Sequence, residues 1–169
     1  MIPFASGLPL ALTTLVGGLA GSVGVVGFGS SGTTVLLAGN IIDLTSAGGT
    51  FINSAFVMPR NGVITGIAAN FNVTVSLSLA LGSFTIRATL YQATGTGTQF
   101  TQLAGTQVTL SPNIPGIVAI GAGTSGSLSN LNIPVASGTR LLLVFSAELN
   151  GLTVASAITG YANAGINII

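Results

Sequence analysis

Cysteine, histidine, lysine and tryptophan are all missing from this chain of 169 residues. Charge is scarce as well. Arg60, Arg87, Arg140, Asp43 and Glu148 are the whole inventory, 3% of residues where a soluble domain carries about 25%. Each absence excludes something. Without imidazole or thiol there is no histidine general base, thiolate nucleophile, zinc site or disulfide framework. Three separated arginines cannot neutralise the run of phosphates on which nucleic-acid affinity depends. Asp43 and Glu148 are the only acids, and nothing in the sequence brings them together as a catalytic pair or a calcium cage. The expectation is a non-enzyme with no catalytic residue, no cofactor, no metal and no nucleic-acid partner.

The polarity that remains comes from Ser, Thr, Asn and Gln, spaced by Ala and by 25 glycines. With 49% hydrophobic residues and a mean hydropathy of +0.87, the chain is far too apolar to be intrinsically disordered. A compact chain of 16.6 kDa exposes roughly 7,600 Å². Five charges cannot keep such a surface soluble if much of it is apolar. That surface is therefore expected either in lipid or against further copies of the chain.

Two stretches would pass a hydropathy test for a membrane span: Leu8 to Phe28, and Gly62 to Ile86, neither of which contains a charge. The order of residues argues otherwise. From Phe71 to Ser78 apolar residues alternate one for one with Asn, Thr or Ser. On a strand this puts the large side chains on one face. On a helix it would scatter them and aim Asn70, Asn72, Thr74, Ser76 and Ser78 at lipid. The period predicts a strand over Val63–Leu81. The glycine-spaced first 30 residues are expected as extended, packed chain. A transmembrane β-barrel is disfavoured because the aromatics, 6% of residues, do not gather at strand ends.

The same alternation continues downstream. Gly82-Ser83 reads as a two-residue hairpin turn into a strand over Phe84–Tyr91, and Thr94–Thr98 as a loop. Further strands are expected over Thr106–Leu110, Asn130–Val135 and Arg140–Leu149. Asn150-Gly151 then reads as a hairpin turn into Leu152–Tyr161. Strand-sized runs punctuated by turns about every ten residues predict an all-β sandwich or barrel of about ten strands.

Several blocks carry a resemblance. GVITGIAANFNVT (62–74), FTIRATLYQATGTGT (84–98), LNIPVASGTRLLLVFSAE (131–148) and ITGYANAGI (158–166) resemble the C-terminal domain of the Bacillus collagen-like exosporium glycoproteins, most closely the BclB type. More distantly, Val135–Val144 is similar to a strand of the jelly rolls of complement C1q and tumour necrosis factor, with Thr139 where those have an acid. The resemblance implies an all-β, C1q-like jelly-roll sandwich assembling as a homotrimer. It implies a head over 31–169 behind a Gly-rich apolar segment over 1–30 that is stalk-proximal or packed in the trimer. It further implies a collagen-like stalk of the same chain as partner, and an extracellular place on the spore surface. No Gly-X-Y repeat occurs in this sequence, so what is expected is the head alone.

The candidate trimer-interface residues are Arg87, Glu148, Phe71, Val73, Val75 and Leu77. Arg87 lies mid-strand, facing opposite to Ile86, Ala88 and Leu90. It is expected either as a contact between subunits, with Glu148 as the candidate partner, or as an arginine lying along the sheet surface. The sequon Asn72-Val73-Thr74 falls mid-strand and reads as coincidence. Beside the assembly module stand two other readings: a receptor-binding head with a host or surface glycan or protein ligand, and an integral membrane protein.

Overall fold

The computed structural model describes all residues except 38–39, 46–53, 76 and 152–154, and only the backbone of 77–81. The described residues form fourteen strands and no helix. In chain order these are β1 (Ile2–Ala5), β2 (Leu10–Thr14), β3 (Ser22–Val26), β4 (Ser31–Val35), β5 (Ile41–Asp43), β6 (Phe56–Val57) and β7 (Gly62–Val73). They continue as β8 (Leu77–Ala93), β9 (Gln99–Gln102), β10 (Val108–Thr109), β11 (Ile114–Val118), β12 (Gly123–Val135), β13 (Arg140–Asn150) and β14 (Ser156–Ile168). Among these residues no helix is long and apolar enough to cross a membrane.

Two antiparallel sheets face each other. The five-stranded sheet runs β1-β14-β7-β12, with β2 also on β14. The nine-stranded sheet runs β4-β3-β13-β8-β9-β5, with β6 on β13 and β10 and β11 on β8. From β7 onward the chain passes back and forth: β7 and β14 lie side by side in one sheet, β8 and β13 in the other. This is a jelly-roll sandwich, the all-β class that the alternation predicts.

The period of two is what fills the interior. Ile67, Ala69, Phe71 and Val73 of β7 point inward with Ile158, Ala162 and Ile166 of β14. They meet Phe84, Ile86, Ala88 and Leu90 of β8 and Leu141, Leu143, Phe145 and Ala147 of β13. Thr65 is an extra residue on β7: Asn167 pairs with Gly66 and Ile168 with Ile64. That bulge flips the parity, so Ile64 rather than Val63 is buried.

Three expectations change. The strand expected over Val63–Leu81 is two, because β7 ends at Val73 in one sheet and β8 begins at Leu77 in the other. Gly82-Ser83 is no hairpin turn: β8 runs straight through it. Gly82 takes φ 99° at a bulge, where Pro115 pairs with Ser83 but Ile117 with Ser78. Asn150-Gly151 likewise ends β13 without forming a hairpin, since β14 joins the opposite sheet.

The first 30 residues are extended. They supply β1 and β2 to the edge of the five-stranded sheet and β3 to the nine-stranded one. Phe4 stacks on Phe28 at 5.2 Å between ring centroids, tying the two contributions together. The total exposed surface is 7560 Å². That matches the value expected for a compact chain of this mass, so a single copy already encloses its own core.

Candidate functional site

The two sheets treat their outer faces differently. On the nine-stranded sheet, β13 is apolar on both faces over Leu141–Phe145, which explains the unbroken run LLLVF. Leu141, Leu143 and Phe145 enter the interior. Leu142 and Val144 join a second cluster outside with Val23, Val25, Ile42, Leu44, Tyr91 and Phe100. The chain's own β5 and β9 supply part of that outer layer.

The five-stranded sheet has no such cover among the described residues. Its outer face is written by the alternate residues of β7, β12 and β14, and register places them in rows. Ser125, Asn70 and Asn163 lie across from one another, as do Ser127, Ala68 and Gly165, then Ser129, Gly66 and Asn167, and finally Gly123, Asn72 and Tyr161. None of the five strands holds a charged residue. Because Gly66, Ala68 and Gly165 are so small, the middle of the face is dented. One hollow of about 260 Å³ runs past Gly66, Ala68, Ser127 and Gly165, and another of about 270 Å³ past Ala68, Asn70, Asn163 and Gly165. Most surfaces of soluble domains are defended by lysines and glutamates that stand off a partner. This one offers a low, uncharged relief with amides able to donate and accept hydrogen bonds.

The residues singled out from sequence fall in different places. Phe71 and Val73 are 0% and 1% exposed, and Phe71 lies 6.4 Å from Phe145 between ring centroids, so both side chains are spent inside one chain. Val75 is 52% exposed, beyond the end of β7. Leu77 opens β8, and its side chain lies outside the described residues. The signal for the outer face was in the same alternation. In a two-layer sandwich the apolar parity serves the chain's own second sheet, and the partner side of Asn, Ser, Ala and Gly is what remains for another molecule.

Arg87 and Glu148 do meet, and they do so within one chain. Ser146 lies directly opposite Arg87 across β8 and β13, which makes Glu148 its diagonal neighbour two residues along. Arg87 Nη1 donates to Glu148 Oε1, with the two side chains 27% and 32% exposed. The contact expected between subunits is thus a cross-strand ion pair on the outer face of the nine-stranded sheet. The partner was named from sequence, but with 61 residues between the two nothing there showed that they meet within one chain.

The remaining charges serve local structure. The Arg140 guanidinium sits 5.0 Å from the centre of the Phe100 ring, with Nε and Nη2 buried and without a hydrogen-bond partner among the described residues. Phe100 thereby supplies a cation–π contact in place of hydrogen bonds. Asp43 accepts hydrogen bonds from the Thr45 hydroxyl and amide, which hold its carboxyl below the usual 3.8. Burial pushes the Tyr91 phenol above 10.0.

No protein-family model matches the chain. It is 32% identical over 173 residues to Collagen-like protein 1 of Acanthamoeba polyphaga mimivirus, a match that covers 98% of this chain. The chain spans 18% of that protein's length. Along nearly all of its sequence, then, the protein is related to one part of a collagen-like protein.

Proposed function

We propose that this chain is a structural assembly module: a head that docks on copies of itself as a homotrimer and holds a collagen-like stalk of the same polypeptide in register. The observation that carries the reading is the outer face of the five-stranded sheet, uncharged, low in relief and uncovered among the described residues. The opposite sheet, by contrast, is layered over by its own chain. Closed threefold symmetry uses such a face on every copy and leaves no end open for further addition. The named relative supports the collagen-like part.

The setting that accompanies this reading is extracellular, at the tip of a surface filament such as those of the Bacillus exosporium. A collagen triple helix needs three chains brought together in register, and each pays a loop-closure and alignment cost before the first Gly-X-Y turn forms. A head that is already trimeric removes that cost.

The test is direct. Joined to a short Gly-Pro-Pro peptide, the chain should raise the melting temperature of the peptide's triple helix, followed by circular dichroism, and make melting independent of peptide concentration. A triple helix that melts as the free peptide does would contradict the registering role.

A further inference from the structure

A cleft of about 260 Å³ opens on the outer face of the nine-stranded sheet, where the chain's own covering layer stops. Its floor follows β13 from Val144 to Ser146 and Glu148, and β8 from Tyr91 to Thr89 and Arg87. Outward residues on β13 change from Leu142 and Val144, which lie under the layer, to Ser146 and Glu148, which do not. Two of only five charged side chains in the protein are therefore placed on the floor of one cleft.

The polar groups around it are largely uncommitted. Arg87 and Glu148 bond to each other through Nη1 and Oε1. The other guanidinium N–H groups and Glu148 Oε2 make no hydrogen bond among the described residues. The side-chain amides of Asn40, Gln102 and Gln107 on the rim are likewise unbonded among the described residues. The pair is self-neutralising, so the cleft attracts neither a phosphate or carboxylate nor a cation.

What it offers is donors and acceptors side by side. That set matches adjacent hydroxyl groups, each of which both donates and accepts. Beside them Leu19, Ala20 and Leu36 supply apolar contact for C–H faces. The volume falls just below the range of about 300–1,000 Å³ typical of drug-sized ligands, which leaves room for one sugar ring.

We infer that this cleft binds a neutral, hydroxyl-rich ligand, a single pyranose unit or the end of a neutral glycan, with Arg87 and Glu148 as the floor and Gln102, Gln107 and Asn40 as the rim. The site is on the sheet opposite the uncharged face, and it is complete within one chain. It stands whatever the number of copies.

Saturation-transfer difference NMR on the whole chain tests it, with D-mannose, D-galactose and N-acetyl-D-glucosamine as neutral probes and N-acetylneuraminate as the anionic one. At least one neutral sugar should receive saturation, with a Kd of about 1 mM, as expected for a ligand of about a dozen non-hydrogen atoms. Replacing the pair by apolar residues of similar size, Arg87→Met with Glu148→Leu, should weaken binding at least about tenfold, the loss of a charge-assisted hydrogen bond. Gln107→Ala, on the exposed rim, should weaken it about threefold and decides the matter if the double variant fails to fold. Silence from all three neutral sugars would overturn the inference. So would unchanged affinity in Gln107→Ala or in a folded double variant, and so would tighter binding of N-acetylneuraminate than of any neutral sugar.

Discussion

Asn70 on β7 and Asn163 on β14 are direct cross-strand partners in the middle of the uncovered sheet, with Ser125 of β12 on the far side of Asn70. Two primary amides side by side can bond each other and still present a donor and an acceptor outward. If copies dock here, an arginine at this point carries an unpaired charge into an uncharged interface. Asn163→Arg should therefore abolish assembly, since burying an uncompensated charge costs several kcal/mol. Asn163 is exposed in the single chain, so the melting of its sandwich should change little. Sedimentation velocity on the variant checks the first outcome and far-ultraviolet circular dichroism the second.

The Arg87–Glu148 pair should matter little for stability. Both side chains are about a third exposed, and partly solvated pairs contribute about 0–1 kcal/mol. Glu148→Gln is expected to lower the melting temperature by no more than about 4 °C for a domain of this size. Calorimetry reads this directly, and a drop several times larger would show the pair to be a structural linchpin.

Phe71 and Val75, two positions of one parity, should separate sharply. Phe71 is fully enclosed against Phe145, and Phe71→Ala should cost about 3–5 kcal/mol in denaturant unfolding. Val75→Ala, at an exposed position, should stay within about 0.5 kcal/mol. Gly160 belongs with Phe71: a Cβ there would lie 2.6 Å from the Phe71 ring. Gly160→Ala should accordingly destabilise by about 1–3 kcal/mol through overpacking.

Stability should be flat across a wide pH range. Asp43 is held below its usual 3.8 by the Thr45 hydrogen bonds, so its contribution is present above that value and is lost as pH falls through the lowered one. Tyr91 is raised above 10.0 by burial, so its contribution is intact below that value and is lost as pH rises past it. With no histidine or lysine, melting temperature should hold level from about pH 5 to pH 9 and fall only outside those limits. A pronounced slope within that window, in a calorimetric pH series, would contradict this assignment of the titrating groups.

The strands were legible in the sequence and their partners were not. Alternation over Phe71–Val73 and Phe84–Leu90 reports which face each residue takes, a local property of extended chain. Gly82-Ser83 looks like a hairpin turn because a glycine at positive φ serves a bulge inside a strand as well as a turn. Asn150-Gly151 does so because a hairpin and a crossover to the other sheet can begin with the same two residues. The apolar side of β7 was read as an interface because the sequence does not say that a second sheet from the same chain is waiting for it. Arg87 and Glu148 were legible as an unusual expenditure of charge, while their adjacency depends on β8 and β13 being neighbours. The outer asparagines and small residues were visible throughout as the polar half of the pattern. Only the fold shows that this half is what faces outward and, among the described residues, stays bare.

Multi-angle light scattering of the chain in buffer without detergent tests the self-assembly most directly. The expected result is a single soluble species at three times the 16.6 kDa of one chain, unchanged on moderate dilution and at high salt. A stable particle of 16.6 kDa at the same concentrations would contradict it.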